Sequence, residues 1–142
     1  MIIGQIQDGI VLDHITAGRS MMLYRVLGLD SLNCTVAMIQ NAESKKLGRK
    51  DIIKIGQVLD LDLDVLGYLD PGITVNIIRD GKLAKRSRLT LPERLVGICK
   101  CKNPRCITAE EHDLPQEFRL TDRENRVYRC VYCESEAPKH YE

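Results

Sequence analysis

A chain of 142 residues with a formal net charge of +1 has room for one ordinary domain or two small ones. Its charge is even, with 12 basic and 10 acidic residues through Leu91 and 9 and 10 beyond, which argues against bulk polyanion binding. One Phe and no Trp leave few platforms for stacking bases, and no apolar run reaches the roughly 18 residues of a membrane span, so a soluble cytoplasmic protein with neither nucleic acid nor membrane as partner is expected.

In chain order, residues 1–12 are rich in Ile and Val around a Gln-Asp-Gly interruption and read as a bent or bulged strand. Residues 20–27 place Leu23, Val26 and Leu27 on one helical face, with Gly28 as the stop. Residues 33–40 form a largely apolar strand that includes Cys34, a small core residue by its apolar setting. Residues 41–49 are polar turn material, and 50–55 form a third strand whose imperfect alternation leaves its register open. Residues 61–69 read as a short helix with Asp62 as N-cap and Pro71-Gly72 at its close. Strands at 74–78 and 83–88 flank Asp80-Gly81, a tight hairpin signal because both residues tolerate positive φ. Strand, helix, strand, strand, helix, strand and a further strand describe an α+β fold of split βαβ type, with two helices on one face of an antiparallel sheet.

Pro92 marks a boundary, giving domains at 1–91 and 92–142. In the second, residues 118–120 and 127–131 are expected strands around a polar turn at 121–125. This domain is too short to rely on a hydrophobic core, and it carries Cys101, Cys106, Cys130 and Cys133 in two tight pairs. Thiolates two to four residues apart on a turn can face one centre, and two such turns complete a tetrahedral sulfur site suited to zinc. Two disulfides are the alternative, disfavoured because no targeting signal points to an oxidising compartment. Cys99 competes with Cys101 for one ligand position, and the Asn103-Pro104 turn favours Cys101. A site closed by four sulfurs leaves no position for water or substrate, which points to one structural Zn2+ per chain. Iron in the same cage, and hence electron transfer, is the lesser alternative.

No catalytic constellation emerges: Gly48-Arg49-Lys50 lacks the framing residues of a phosphate loop, and no Ser-His-Asp set converges. Cations do cluster at Arg49, Lys50 and Lys54 and at Lys82, Lys85, Arg86 and Arg88. They read either as a solvated basic face or as an anion pocket to which Asp13 and His14 contribute. A zinc-ribbon nucleic-acid binder using the basic residues at 82–88 and 119–129 is the alternative function, and salt-sensitive RNA or DNA binding would mark it.

Taken together, Val11-Leu-Asp-His-Ile15, Gly48-Arg-Lys-Asp-Ile-Ile-Lys-Ile55, Thr74-Val-Asn76, Ser87-Arg88 with Leu91-Pro-Glu-Arg94, and the two cysteine pairs resemble, in the same order, the regulatory chain of aspartate carbamoyltransferase. The resemblance spans nearly the whole chain. It implies a ferredoxin-like, non-catalytic effector domain and a zinc domain that docks on the catalytic chain, with regulatory homodimers bridging catalytic trimers in pyrimidine biosynthesis. It further implies nucleotide effectors (CTP, ATP and UTP) held by Ile6, Val11, Asp13, His14, Lys50, Lys54, Asn76, Ile78 and Arg86, and zinc held by Cys101, Cys106, Cys130 and Cys133. Better-known members carry a lysine where this chain has Arg86 and a tyrosine where it has Gly81, and Gly4 and Gln5 also differ. Those departures bear on which nucleotide is preferred and on the sign of the response.

Overall fold

The computed structural model describes residues 7–138, and its contacts divide the chain into units at 1–90 and 91–142. In the first unit the elements are β1 (Gly9–Thr16), α1 (Ser20–Val26), β2 (Val36–Ser44), β3 (Gly48–Ile55), α2 (Leu63–Leu69), β4 (Thr74–Arg79) and β5 (Lys82–Arg88). The strands form one sheet in the order β2-β3-β1-β4-β5, and every neighbouring pair is antiparallel. Each helix links two strands that are not neighbours, which is the split βαβ, ferredoxin-like arrangement with β5 added at one edge.

Alternation along the central strands explains why the sheet has two unlike faces. Ile10 and Leu12 of β1, Ile53 and Ile55 of β3 and Val75 of β4 share one face, and all are buried with Leu23 of α1 and Leu66 and Leu69 of α2. The other face carries Val11, Asp13, Lys50, Lys54 and Asn76. Two local signals act as the sequence suggests. Asp62 caps α2 by accepting from the amides of Asp64 and Val65 at 3.1 and 3.2 Å. Asp80 and Gly81 turn the β4–β5 hairpin with φ of 54° and 74°, as a two-residue loop that matches strand twist requires.

Several expected boundaries move. The expected strand at 1–12 begins outside the described residues, and β1 continues through Asp13 and His14 to Thr16. A bulge between Leu12 and Ile15 makes that possible, with His14 in the left-handed region at φ 59°. β2 starts at Val36 rather than residue 33 and runs on to Ser44, through what reads as turn material. A second bulge, with Asn41 at φ 60°, absorbs the irregularity, and backbone pairing with β3 extends the hairpin where apolar pattern has already ended. Cys34 is half-buried ahead of β2 rather than in the core, because the strand begins after it.

The second unit is a sheet in the order β6-β7-β8, formed by β6 (Arg94–Val96), β7 (Glu117–Asp122) and β8 (Val127–Cys130). β6 escapes the sequence reading because three residues with one buried side chain, Leu95, show no period. Leu95 pairs with Phe118 across β6–β7, Phe118 pairs with Cys130 across β7–β8, and all three are fully buried. Among the described residues no helix is long and apolar enough to cross a membrane.

Candidate functional site

Two loops of the second unit bring four thiols together. In the first, Asn103 makes an Asx turn: its side chain accepts from the Arg105 amide at 3.0 Å and its carbonyl from the Cys106 amide at 3.1 Å. In the second, the Glu134 amide donates to the Cys130 carbonyl and the Cys130 amide to the Ser135 carbonyl, both at 2.9 Å, with Glu134 at φ 65°. The chain therefore curls back around the sulfurs at both pairs.

The sulfurs of Cys101, Cys106, Cys130 and Cys133 all lie within 4.8 Å of one another. Cys101 and Cys133 are 3.6 Å apart and Cys106 and Cys130 3.8 Å. Four sulfurs at about 2.3 Å from a tetrahedral ion would be about 3.8 Å apart along each edge, so the cluster fits a metal of zinc's size. These separations are far beyond a sulfur–sulfur bond, and all six cysteines are free. Cys99 is buried and outside the cluster; burial pushes its thiol up to about 11.

Ionisation within the cluster is uneven. Burial, with adjacent Cys133 and Cys130 thiols, pushes Cys101 up to about 12 against the opposing Asn103 amide. At Cys133 burial also disfavours the thiolate, but hydrogen bonds from Ser135 and Asn103 outweigh it and bring the thiol down to about 6. A bound cation would favour thiolate throughout. The surrounding shell is already polar: the Thr108 hydroxyl donates to Cys106 Sγ at 3.1 Å, and Gln116 Oε1 accepts from the Cys101 amide at 3.0 Å. Thr108 and Gln116 carry no ligand spacing in the sequence, and only proximity reveals them.

On the first unit's open face, strand register gathers residues from four strands. Lys54 of β3 pairs with Val11 of β1, Val11 with Asn76 of β4, and Asn76 with Arg86 of β5. Side chains at paired positions share a face, so these four form one row across the sheet. Arg86 Nε donates to Asn76 Oδ1 at 2.8 Å, and Asn76 Nδ2 to the Val11 carbonyl at 3.4 Å. The β1 bulge brings a second group alongside. Lys50 Nζ lies 2.9 Å from Asp13 Oδ1, the His14 amide donates to Asp13 at 2.7 Å, and His14 Nδ1 meets Thr74 Oγ1 at 3.2 Å. Burial tends to raise the Asp13 pKa, but Lys50 and the His14 amide outweigh it and hold the carboxyl below its usual range. Ile78, two residues along β4 from Asn76, sits opposite Gly9 and Leu83 on the neighbouring rung. Ile6 lies outside the described residues.

One residue behind this face is given no role in the sequence reading. Asp51 is fully buried and accepts from the Gly18 amide (3.0 Å), the Ser20 amide (3.2 Å), the Ser20 hydroxyl (2.6 Å) and the Asn41 amide (2.8 Å). It thus ties β3, where its neighbour Lys50 points to the open face, to the start of α1 and the β2 bulge. Burial raises its pKa, yet those four donors prevail and lower it. A usable signal exists: Asp51 is in phase with Ile53 and Ile55, and a carboxylate at a core-phase position demands partners.

Comparison with known proteins divides the chain at the same place. Residues 1–90 match the family model of the aspartate carbamoyltransferase regulatory chain, allosteric domain, and residues 93–140 that of the same chain's metal binding domain. The aspartate carbamoyltransferase regulatory chain of Clostridium acetobutylicum is 50% identical over 132 residues, covering 93% of this chain and 90% of the relative. That of Clostridium botulinum (strain Hall) is 48% identical over the same coverage. That of Bifidobacterium longum is 44% identical over 137 residues, 96% of this chain and 99% of the relative.

Proposed function

The chain belongs to the aspartate carbamoyltransferase regulatory-chain family, and on that premise we propose that its open sheet face binds nucleotide effectors while its cysteine cluster holds one structural zinc. It is a regulatory chain, not a catalytic one, with an allosteric and a metal-binding domain. The supporting observation is the row Lys54–Val11–Asn76–Arg86. A cation stands at each end of it, with an apolar side chain and an amide between. A nucleoside triphosphate needs that combination: cations for phosphates, and flat apolar and amide surface for base and ribose.

Roles follow from reach. Lys54 and Arg86 are the phosphate partners. Arg86 spends Nε on Asn76, which fixes the plane in which its remaining N–H groups present themselves. Lys50, already paired with Asp13, and His14, braced by Thr74, line the side toward base and ribose. Val11 and Ile78 supply apolar contacts from the sheet, and Ile6, outside the described residues, is assigned to the site by the family resemblance alone. In the second domain, zinc on Cys101, Cys106, Cys130 and Cys133 holds the surface that docks on the catalytic chain. The assembly is regulatory homodimers bridging catalytic trimers, acting in pyrimidine biosynthesis in the cytoplasm, where thiols stay reduced.

Titration calorimetry of CTP, UTP and ATP into the full chain tests the effector site. Each charge-assisted bond lost should cost roughly 1.5–3 kcal/mol, so Lys54→Ala weakens nucleotide binding by about tenfold to a hundredfold. Zinc content and co-purification with the catalytic chain should not change. Unaltered affinity in Lys54→Ala would remove that residue from the site, and absence of any nucleotide binding would leave only the docking role.

A further inference from the structure

The small sheet of the metal domain carries its own cationic row. Arg94 of β6 pairs directly with Arg119 of β7, and Arg119 with Arg129 of β8. Like charges directly opposite one another weaken a sheet, so three guanidinium groups on one rung call for an offset. Carboxylates supply part of it: Arg94 meets Glu117 at 2.7 Å, Arg119 meets Glu134 at 3.4 Å, and Arg129 meets Glu136 at 3.4 Å. The last two are open to solvent on both sides, and such pairs contribute little and exchange readily.

At the Arg94 end the surface is concave. A cleft of about 350 Å³ is lined by Glu93, Arg94, Arg119, Leu120, Thr121 and Arg123. Arg123 enters from the β7–β8 turn and donates Nη1 to the Leu91 carbonyl at 3.1 Å. That bond anchors the guanidinium without neutralising it, and leaves other donors of its planar fork for something else. Three arginines and one glutamate give the lining itself a formal charge of +2, which Glu117 on Arg94 and Glu134 on Arg119 offset until an anion takes their place.

We propose that this cleft is a second anion site, separate from the nucleotide face, that takes the phosphate group of a small molecule. The volume is at the lower end of what small-ligand pockets have, which suits a compact ligand rather than a broad partner surface. The charge chooses among anions. A single carboxylate is matched by one guanidinium, whereas a phosphate monoester carries close to two negative charges near neutral pH and can take forked bonds from Arg119 and Arg123 together. Binding displaces Glu134 from Arg119 and relieves the Arg94–Arg119 opposition.

Inorganic phosphate is the probe, titrated into the full chain at constant ionic strength while arginine Nε–Hε resonances are followed. Saturable shifts are expected at Arg94, Arg119 and Arg123, with Arg25 and Arg79 of the other unit unmoved. Arg123→Gln should weaken phosphate binding at least tenfold, exposed Arg119→Gln should do likewise, and Lys54→Ala should leave these shifts intact. That last arm separates this site from the nucleotide face, so either can fail alone. Uniform, unsaturable shifts at all arginines would overturn the proposal. So would Arg123→Gln and Arg119→Gln variants that keep phosphate affinity but lose the catalytic chain, which would make the cleft a protein-docking surface.

Discussion

In the 1–90 unit, Ile10, Leu12, Ile15, Leu23, Ile53, Ile55, Leu66 and Ile73 are all fully buried, and apolar side chains from strands and helices make a core without help. Among the described residues of the 91–142 unit, the buried apolar side chains besides cysteines are Leu91, Leu95, Phe118 and Tyr128. Three further buried positions are Cys99, Cys106 and Cys130, two of them in the sulfur cluster. A unit of that length has little apolar surface to set against its chain entropy, and coordination at the cysteine cluster would supply the difference. In the first unit buried polar groups such as Asp51 and Asp70 are additions to a sufficient core; in the second the cluster completes a small one built on Leu95, Phe118 and Tyr128.

Metal removal breaks this comparison most sharply. Coordination and folding of a small thiolate site are coupled, with apparent energies on the order of 10 kcal/mol or more at neutral pH. Chelation, or Cys130→Ser, is expected to erase the dispersed amide signals of β6–β8 while those of β1–β5 persist. Cys99→Ser should keep the metal, because Cys99 stands outside the cluster. Persistence of β6–β8 after chelation would mean that Leu95, Phe118 and Tyr128 suffice.

Asp51 gives the next effect, confined to the first unit. Asp51→Ala abandons four donors and should cost on the order of 3 kcal/mol, read as a lower denaturation midpoint for β1–β5 with metal content unchanged. Its pKa is lowered in the fold, so the stability it adds is fully present above the unfolded carboxyl value near 3.9 and is lost as pH falls through the folded value. Acid unfolding of the first unit should therefore steepen below about pH 4 in the parent chain and flatten in the variant. An identical acid profile in both would show that the knot carries no such linkage.

The smallest change tests a local signal. Asp62→Ala removes the α2 N-cap and should destabilise the first unit by about 1 kcal/mol, visible as a modest midpoint shift in urea. A loss several times larger would mean that Asp62 has a tertiary role beyond the cap.

Much of this was legible because local chemistry and spacing carry it. Turn-forming Asp80-Gly81, the Asp62 cap and the two cysteine pairs each act over a few residues, and the order of elements follows from their periods. The metal cluster was legible for the same reason: two short turns each present two sulfurs. What spacing alone did not convey is the transverse row. Lys54, Val11, Asn76 and Arg86 come from four strands, and only antiparallel register aligns them. Nor does local pattern announce the bulges at His14 and Asn41, because, unlike the positive φ of Asp80 in its tight turn, theirs arises where paired strands shift register. The three-residue strand β6 and the Arg94–Arg119–Arg129 rung belong to the same category. Sequence by itself determined the longer elements and which side chains can bind an ion; tertiary pairing added β6 and decided which side chains meet, because register is a property of two strands and never of one.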